Sequence, residues 1–257
     1  MVSKMVVLGI DPAPAKASVV FDGKRFYSLM PQELNNFIKN HNETLFIAWD
    51  APLSAALDQH NFSLTIRPIE RFFNRLGGHA KKLGIPEGIT TLGFAGCPHW
   101  TLSQYIFGLP RINTQLHLQG DFELLMEHDT QIVGKKYITE IHPALSMWIF
   151  FRESLSKEPL FQTSWRYKGD AKSETRKRRA YLSDAMIQLA QRMFLIDEIT
   201  INNDDELDAF VCWFLGKLYV EKNKLAMIYG DSKVGSFLLP YDKEVLQSWQ
   251  NYLLKSL

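Results

Sequence analysis

Apolar positions along the chain follow two periodicities. Residues 5–10 are apolar apart from one glycine and stop at Asp11, the pattern of a buried strand. Residues 17–21 and 25–29 alternate on either side of Asp22-Gly23, a dipeptide suited to a two-residue hairpin, so three meandering strands are expected at the start. Pro31 opens a short helix over 32–40 with Leu34, Phe37 and Ile38 on one side. Residues 44–49 form another apolar strand, ended by Asp50-Ala51-Pro52, and the order becomes β-β-β-α-β.

Over residues 58–135 the pattern breaks up, with Gly77, Gly78, Gly84, Pro86, Gly93, Gly96, Pro98 and Pro110 among short helical stretches. No repeat and no Gly/Ser-rich linker divides the chain, so this segment is expected to be a large insertion within one domain spanning residues 1–257. Residues 137–142 read as a strand halted by Pro143, followed by an apolar helix through Ala144, Leu145, Trp148 and Phe151. Two helices follow, over about 173–193 and 204–221. The second carries Leu207, Phe210, Val211, Phe214, Leu215 and Leu218 at helical spacing. A short strand over 235–239 and a helix over 243–254 close the chain.

With 257 residues and 46% hydrophobic side chains, the sequence can bury one substantial core, which excludes a disordered chain. Lys and Arg number 29 against 28 Asp and Glu, so any nucleic-acid footprint has to be local. Cys97 and Cys212 have neither disulfide-framework nor zinc spacing, and a reducing, cytoplasmic location is expected. No apolar run approaches the ~20 residues of a membrane span, so a soluble chain without a membrane partner is expected.

The chemistry sits in the carboxylates. Asp11 follows the first strand, Asp50 follows the fourth, Glu140 lies in the fifth, and Asp205 and Asp208 stand at i and i+3 in the first turn of a late helix. Ligands of open sheets bind outside the carboxyl ends of strands, so parallel first and fourth strands would set Asp11 beside Asp50. Hard oxygen ligands without His or Cys suit Mg²⁺ or Mn²⁺. Two such ions about 3.5–4 Å apart can generate the nucleophile and stabilise the leaving oxygen of a phosphodiester. Asp11, Asp50, Asp205 and Asp208 are therefore the expected metal ligands, with Glu140 as a further catalytic acid at the rim. Each acid has an ordinary alternative: Asp before Pro forms turns, and Asp204 or Asp205 at a helix start stabilises it by about 1 kcal/mol as a cap. The helix register complicates the choice, because Asp204 lies four residues before Asp208 and on a rotation nearer the core flank; Asp205 is the expected partner of Asp208.

Val7-Leu8-Gly9-Ile10-Asp11, Trp49-Asp50-Ala51-Pro52-Leu53, Glu140-Ile141-His142-Pro143 and Asp205-Glu206-Leu207-Asp208-Ala209 together resemble the domain-of-unknown-function family 429, regarded as predicted RNase H-like nucleases. The resemblance continues through Arg67-Pro68-Ile69-Glu70-Arg71, Tyr167-Lys168, residues 176–182, Gly230 and residues 235–240, and so spans most of the chain. It implies an α/β fold with an RNase H-like mixed five-stranded sheet flanked by helices and a large insertion after the fourth strand. Acids from the first strand, the fourth strand and a late helix would then surround divalent metal, with Lys168 among the substrate-binding residues. The spacing of Asp205 and Asp208 also resembles paired acids on the last helix of Holliday-junction resolvases. Pro12 and Pro14 after Asp11 depart from many relatives.

Lys172, Arg176 and Arg179 share a helical face that could neutralise phosphates of DNA or RNA, or simply be solvated. Arg67, Arg71 and Arg75, spaced by four, offer a second phosphate clamp, with Glu70 and Asn74 as ordinary helix-surface partners instead. Phe94, Trp100, Tyr105 and Phe107 could stack bases or anchor the insertion to the core. His142 could shuttle protons beside Glu140 or be satisfied by backbone. A metal-dependent nuclease is the expected function. A catalytically inactive binding module of the same fold is the alternative; an actin-like or sugar-kinase-like enzyme is disfavoured because Pro12 and Pro14 remove two phosphate-cradling N–H groups after Asp11.

Overall fold

The computed structural model describes residues 5–41, 44–54, 66–74, 78–89, 98–109, 118–128, 130, 132, 135–194 and 196–256. Six strands, β1 (Val6–Asp11), β2 (Ser18–Phe21), β3 (Phe26–Leu29), β4 (Leu45–Trp49), β5 (Phe122–Leu124) and β6 (Lys136–Glu140), form one mixed sheet in the order β3-β2-β1-β4-β6-β5. The β1-β2-β3 meander is antiparallel, whereas β1, β4, β6 and β5 run parallel. The central strands β1 and β4 are buried on both faces, which explains their near-continuous apolar runs.

The sheet has one strand more than the five expected. β5 comes from inside the supposed insertion and is only three residues long, too short to show a period of its own. A separate antiparallel pair, β7 (Ala226–Asp231) and β8 (Gly235–Pro240), touches the end of the main sheet through a parallel bridge between Ile141 and Leu238. β7 was not anticipated: its apolar run breaks at Gly230, which packs against the carbonyl of Gly235. The first hairpin turns on Gly23-Lys24, one residue later than Asp22-Gly23 suggests, with the Asp22 side chain accepting from the Lys24 and Arg25 amides.

Helices cover both faces. On one, α1 (Pro31–Lys39) and α4 (Pro98–Phe107) bury Leu8, Ile10, Ile47 and Trp49. On the other, α5 (Pro143–Leu155), α7 (Ser173–Met193) and α8 (Asp204–Val220) pack with Val7, Phe46, Ala48 and Tyr137. Short helices α2 (Pro68–Phe73), α3 (His79–Lys82) and α6 (Pro159–Gln162), a 3-10 turn at Gln119–Asp121 and the terminal α9 (Lys243–Ser256) complete the described elements.

Gly9 sets the position of α8. A Cβ there would lie 2.1 Å from the Ala209 carbonyl oxygen and 2.2 Å from the Trp213 nitrogen, so the helix backbone rests directly on β1. Asn203 caps this helix, its side-chain oxygen accepting from the Glu206 amide at 2.8 Å. No helix among the described residues is long and apolar enough to cross a membrane.

Candidate metal centre

β1 and β4 pair in parallel with Ile10 opposite Trp49, so Asp11 and Asp50 leave adjacent strands at the same level. The Asp50 amide donates to the Ile10 carbonyl at 3.0 Å and holds that register past the strand end. Seated against Gly9, α8 brings Asp208 to the same edge. Carboxylate oxygens of Asp11, Asp50 and Asp208 all lie within 4.8 Å of one another. Asp208 is buried and the other two are half-buried.

The loop before α7 supplies the partners of this triad. The Tyr167 hydroxyl donates to Asp208 Oδ1 at 2.5 Å. Lys168 Nζ lies 2.5 Å from Asp208 Oδ2 and 3.8 Å from Asp50 Oδ2. Burial, followed by repulsion from Asp208 and Asp50, pushes the Asp11 carboxyl well above the usual carboxylate range. Burial is also the main cause at Asp50, where attraction by Lys168 opposes repulsion from Asp208 and Glu140, and the carboxyl rises to about 7. Asp208 is raised by burial against the pull of Lys168 and Tyr167. Burial lowers Lys168, but the fields of Asp208, Asp50 and Asp11 more than offset it and hold the ammonium well above the ordinary lysine value.

Three converging carboxylates under mutual repulsion form a hard, all-oxygen donor set that could hold Mg²⁺ or Mn²⁺. Beside them opens a cavity of about 370 Å³, whose walls include His99, Glu140, Arg166 and Lys168.

Several expected site residues have other partners. Asp205 forms an ion pair with Lys16 rather than joining the triad. Asp204 accepts from Arg179 at 3.1 Å and from the Gly169 amide at 3.1 Å, so neither neighbour joins Asp208 in the carboxylate cluster. Glu140 belongs to a buried ion network: Arg67 reaches its two oxygens at 2.6 and 2.7 Å, and the Leu53 amide donates at 3.0 Å. The same guanidinium bonds Glu70 at 2.7 Å and Ser54 at 2.8 Å. Arg67 has no exposed surface, which corrects its expected role as a phosphate clamp; Arg71 is exposed and Arg75 lies outside the described residues.

The basic run on α7 divides. Arg178 is buried, and Arg179 is held between Asp170 and Asp204, leaving little of it for a substrate. Lys172, Arg176 and Lys177 are exposed, with Arg176 also donating to the Asp170 carbonyl. Trp100 and Phe107 are core residues, Tyr105 is exposed, and Phe94 lies outside the described residues, as does Cys97. His142 caps α5, its Nδ1 accepting from the Leu145 amide at 3.3 Å.

Residue patterning missed Tyr167 as a partner of Asp208 and Lys16 as a partner of Asp205. Neither residue sits in a periodic element, and only the resemblance at Tyr167-Lys168 pointed toward that loop. No family model, curated protein or solved structure matches the chain.

Proposed function

We propose that this chain is a divalent-metal-dependent nuclease of the RNase H-like superfamily, a relative of the domain-of-unknown-function family 429, acting on DNA or RNA. On this proposal residues 1–257 are one RNase H-like domain, with the segment around 58–135 inserted between its fourth strand and the next strand of the common core. The observation that carries it is the convergence of Asp11, Asp50 and Asp208 within 4.8 Å at the carboxyl ends of two parallel strands. The strand order around β1, with an antiparallel meander on one side and parallel strands on the other, supports the superfamily assignment.

A bound Mg²⁺ or Mn²⁺ would supply polarisation of the phosphodiester and activation of water. The chain's own residues do the rest. Asp11, Asp50 and Asp208 would hold the ion, and the Tyr167 hydroxyl fixes the rotamer of Asp208. Arg67 and Glu140 lock the end of β6 to α2, which steadies the wall of the cavity. Exposed Lys172, Arg176 and Lys177 offer the polyanion an electrostatic approach along α7.

The test is cleavage of labelled single-stranded, duplex, hybrid and branched substrates with Mn²⁺, Mg²⁺ or EDTA. Cleavage should require metal and fall by orders of magnitude in Asp208→Asn, which keeps the side-chain shape and removes one ligand charge. Metal-independent cleavage, full activity in Asp208→Asn, or no cleavage of any substrate by the wild type would refute the proposal.

A further inference from the structure

We propose that this centre takes one divalent ion rather than two, and that the Lys168 ammonium serves as the second positive charge, placed to contact a phosphoryl oxygen of the substrate. The inference rests on the metal-dependent reading above and specifies how that site is built.

One ion fits the triad. An octahedral ion with ligands at about 2.0–2.1 Å sets neighbouring oxygens about 2.9 Å apart and opposite ones about 4.2 Å apart, so oxygens within 4.8 Å need to close by about 1.9 Å at most, within reach of side-chain rotation. A second ion, about 3.5–4 Å from the first, would need ligands of its own. The other described acids near this edge are committed elsewhere. Both Glu140 oxygens face Arg67, Asp205 faces Lys16, and Asp204 faces Arg179 and the Gly169 amide.

An ammonium stands beside the triad instead. Lys168 Nζ bridges Asp208 and Asp50, at 2.5 and 3.8 Å, on a side chain that is half exposed and opens onto the cavity. With the three carboxylates ionised, the triad and Lys168 together carry a net charge of −2, which one divalent ion neutralises. If Asp50 and Asp208 turned inward to hold such an ion, the flexible lysine stem would let the ammonium stay at the cavity mouth. There it can donate to a non-bridging oxygen of a bound phosphodiester, as a point charge rather than a bidentate clamp.

The experiment is a Mn²⁺ titration of the full chain, followed by calorimetry and by the electron paramagnetic resonance signal of free Mn²⁺, on wild type, Lys168→Met and Lys168→Gln. The wild type should bind one ion per chain. Both variants should melt cooperatively, because the lysine is half exposed, and should bind the first ion about tenfold more tightly, since a competing cation has been removed. With Mn²⁺ saturating in each case, their cleavage rates should still be lower than that of the wild type. Two ions per wild-type chain would overturn the inference and leave the metal-dependent reading standing, as would unchanged or weaker binding of the first ion in both variants. No Mn²⁺ uptake by the wild type would overturn both.

Discussion

Gly9→Ala probes the contact that holds the candidate centre together. The added methyl would lie 2.1 Å from the Ala209 carbonyl oxygen, 2.2 Å from the Trp213 nitrogen and 2.7 Å from the Trp213 Cα. All three are backbone atoms, so no rotamer change relieves the clash, and α8 has to move off β1 by roughly 1 Å to restore ordinary contact distance. Overpacking of this kind costs about 1–3 kcal/mol, and a backbone-to-backbone clash belongs at the upper end. For a chain of this size, that lowers Tm by roughly 6–12 °C. Asp11 lies two residues beyond Gly9 on the same face of β1, and Asp208 directly precedes Ala209 on α8, so the displacement widens their separation by a comparable amount. Binding of Mn²⁺ should weaken about tenfold, equivalent to about 1.4 kcal/mol. The assay is thermal unfolding with and without Mn²⁺, with Gly216→Ala as the control. A Cβ at Gly216 meets Val7, Ala48 and Phe46 side-chain atoms at 3.0–3.3 Å, about 1 Å farther than the backbone atoms facing Gly9, so that variant should lose less stability and keep its response to Mn²⁺. Wild-type melting and full Mn²⁺ stabilisation in Gly9→Ala would refute the claim that this close approach positions the site.

Two further outcomes follow from the buried charges. Without metal, Asp50 holds its proton up to about pH 7 when folded, against 3.8 as an ordinary carboxyl. Its contribution to stability is therefore greatest below pH 3.8 and is lost as pH rises through about 7, on the order of 1.4 kcal/mol per unit while one proton separates the two states. Relative to Asp50→Asn, the metal-free wild type should lose stability between about pH 4 and 7, and saturating Mn²⁺ should offset the loss. Denaturant melts in which the two proteins track each other across this range would contradict it. Arg67→Met leaves Glu140 and Glu70 buried without their cation and should cost about 3–5 kcal/mol in urea unfolding. Arg71→Ala, at an exposed position one turn later, should stay within about 0.5 kcal/mol, and equal effects of the two would refute the structural assignment of Arg67.

How far the sequence exposes this arrangement depends on whether a residue's role is local. Strands β1 and β4 were legible because burial on both faces writes near-continuous apolar runs, β6 because Pro143 halts a short stretch containing Tyr137, Ile138 and Ile141, and α7 and α8 because they are long enough for helical spacing to repeat. The short strands β5 and β7 were not, since three residues, or four apolar residues ended by a glycine, carry too little periodicity. Within the site, Asp11 and Asp50 could be found from their place at strand ends, and Asp208 from its place in the first turns of α8. What no local pattern contains is the pairing of charges distant in the chain. Arg67 and Glu140 are 73 residues apart and Lys16 and Asp205 are 189 apart; the first pair ties up two of the expected chemical groups and the second ties up one. Arg67 at the start of a helix with Arg71 and Arg75 in register looks like an exposed basic stripe, because spacing reports a shared face but not what covers it. Glu70, three residues after Arg67, was the available clue, since its carboxylate bonds both the Arg67 amide and the guanidinium and so turns that arginine inward. The same reasoning applies to Lys168. An isolated lysine in a loop carries no pattern, and its importance comes from Asp50 and Asp208, two acids from different elements that the close seating of α8 on Gly9 brings beneath it.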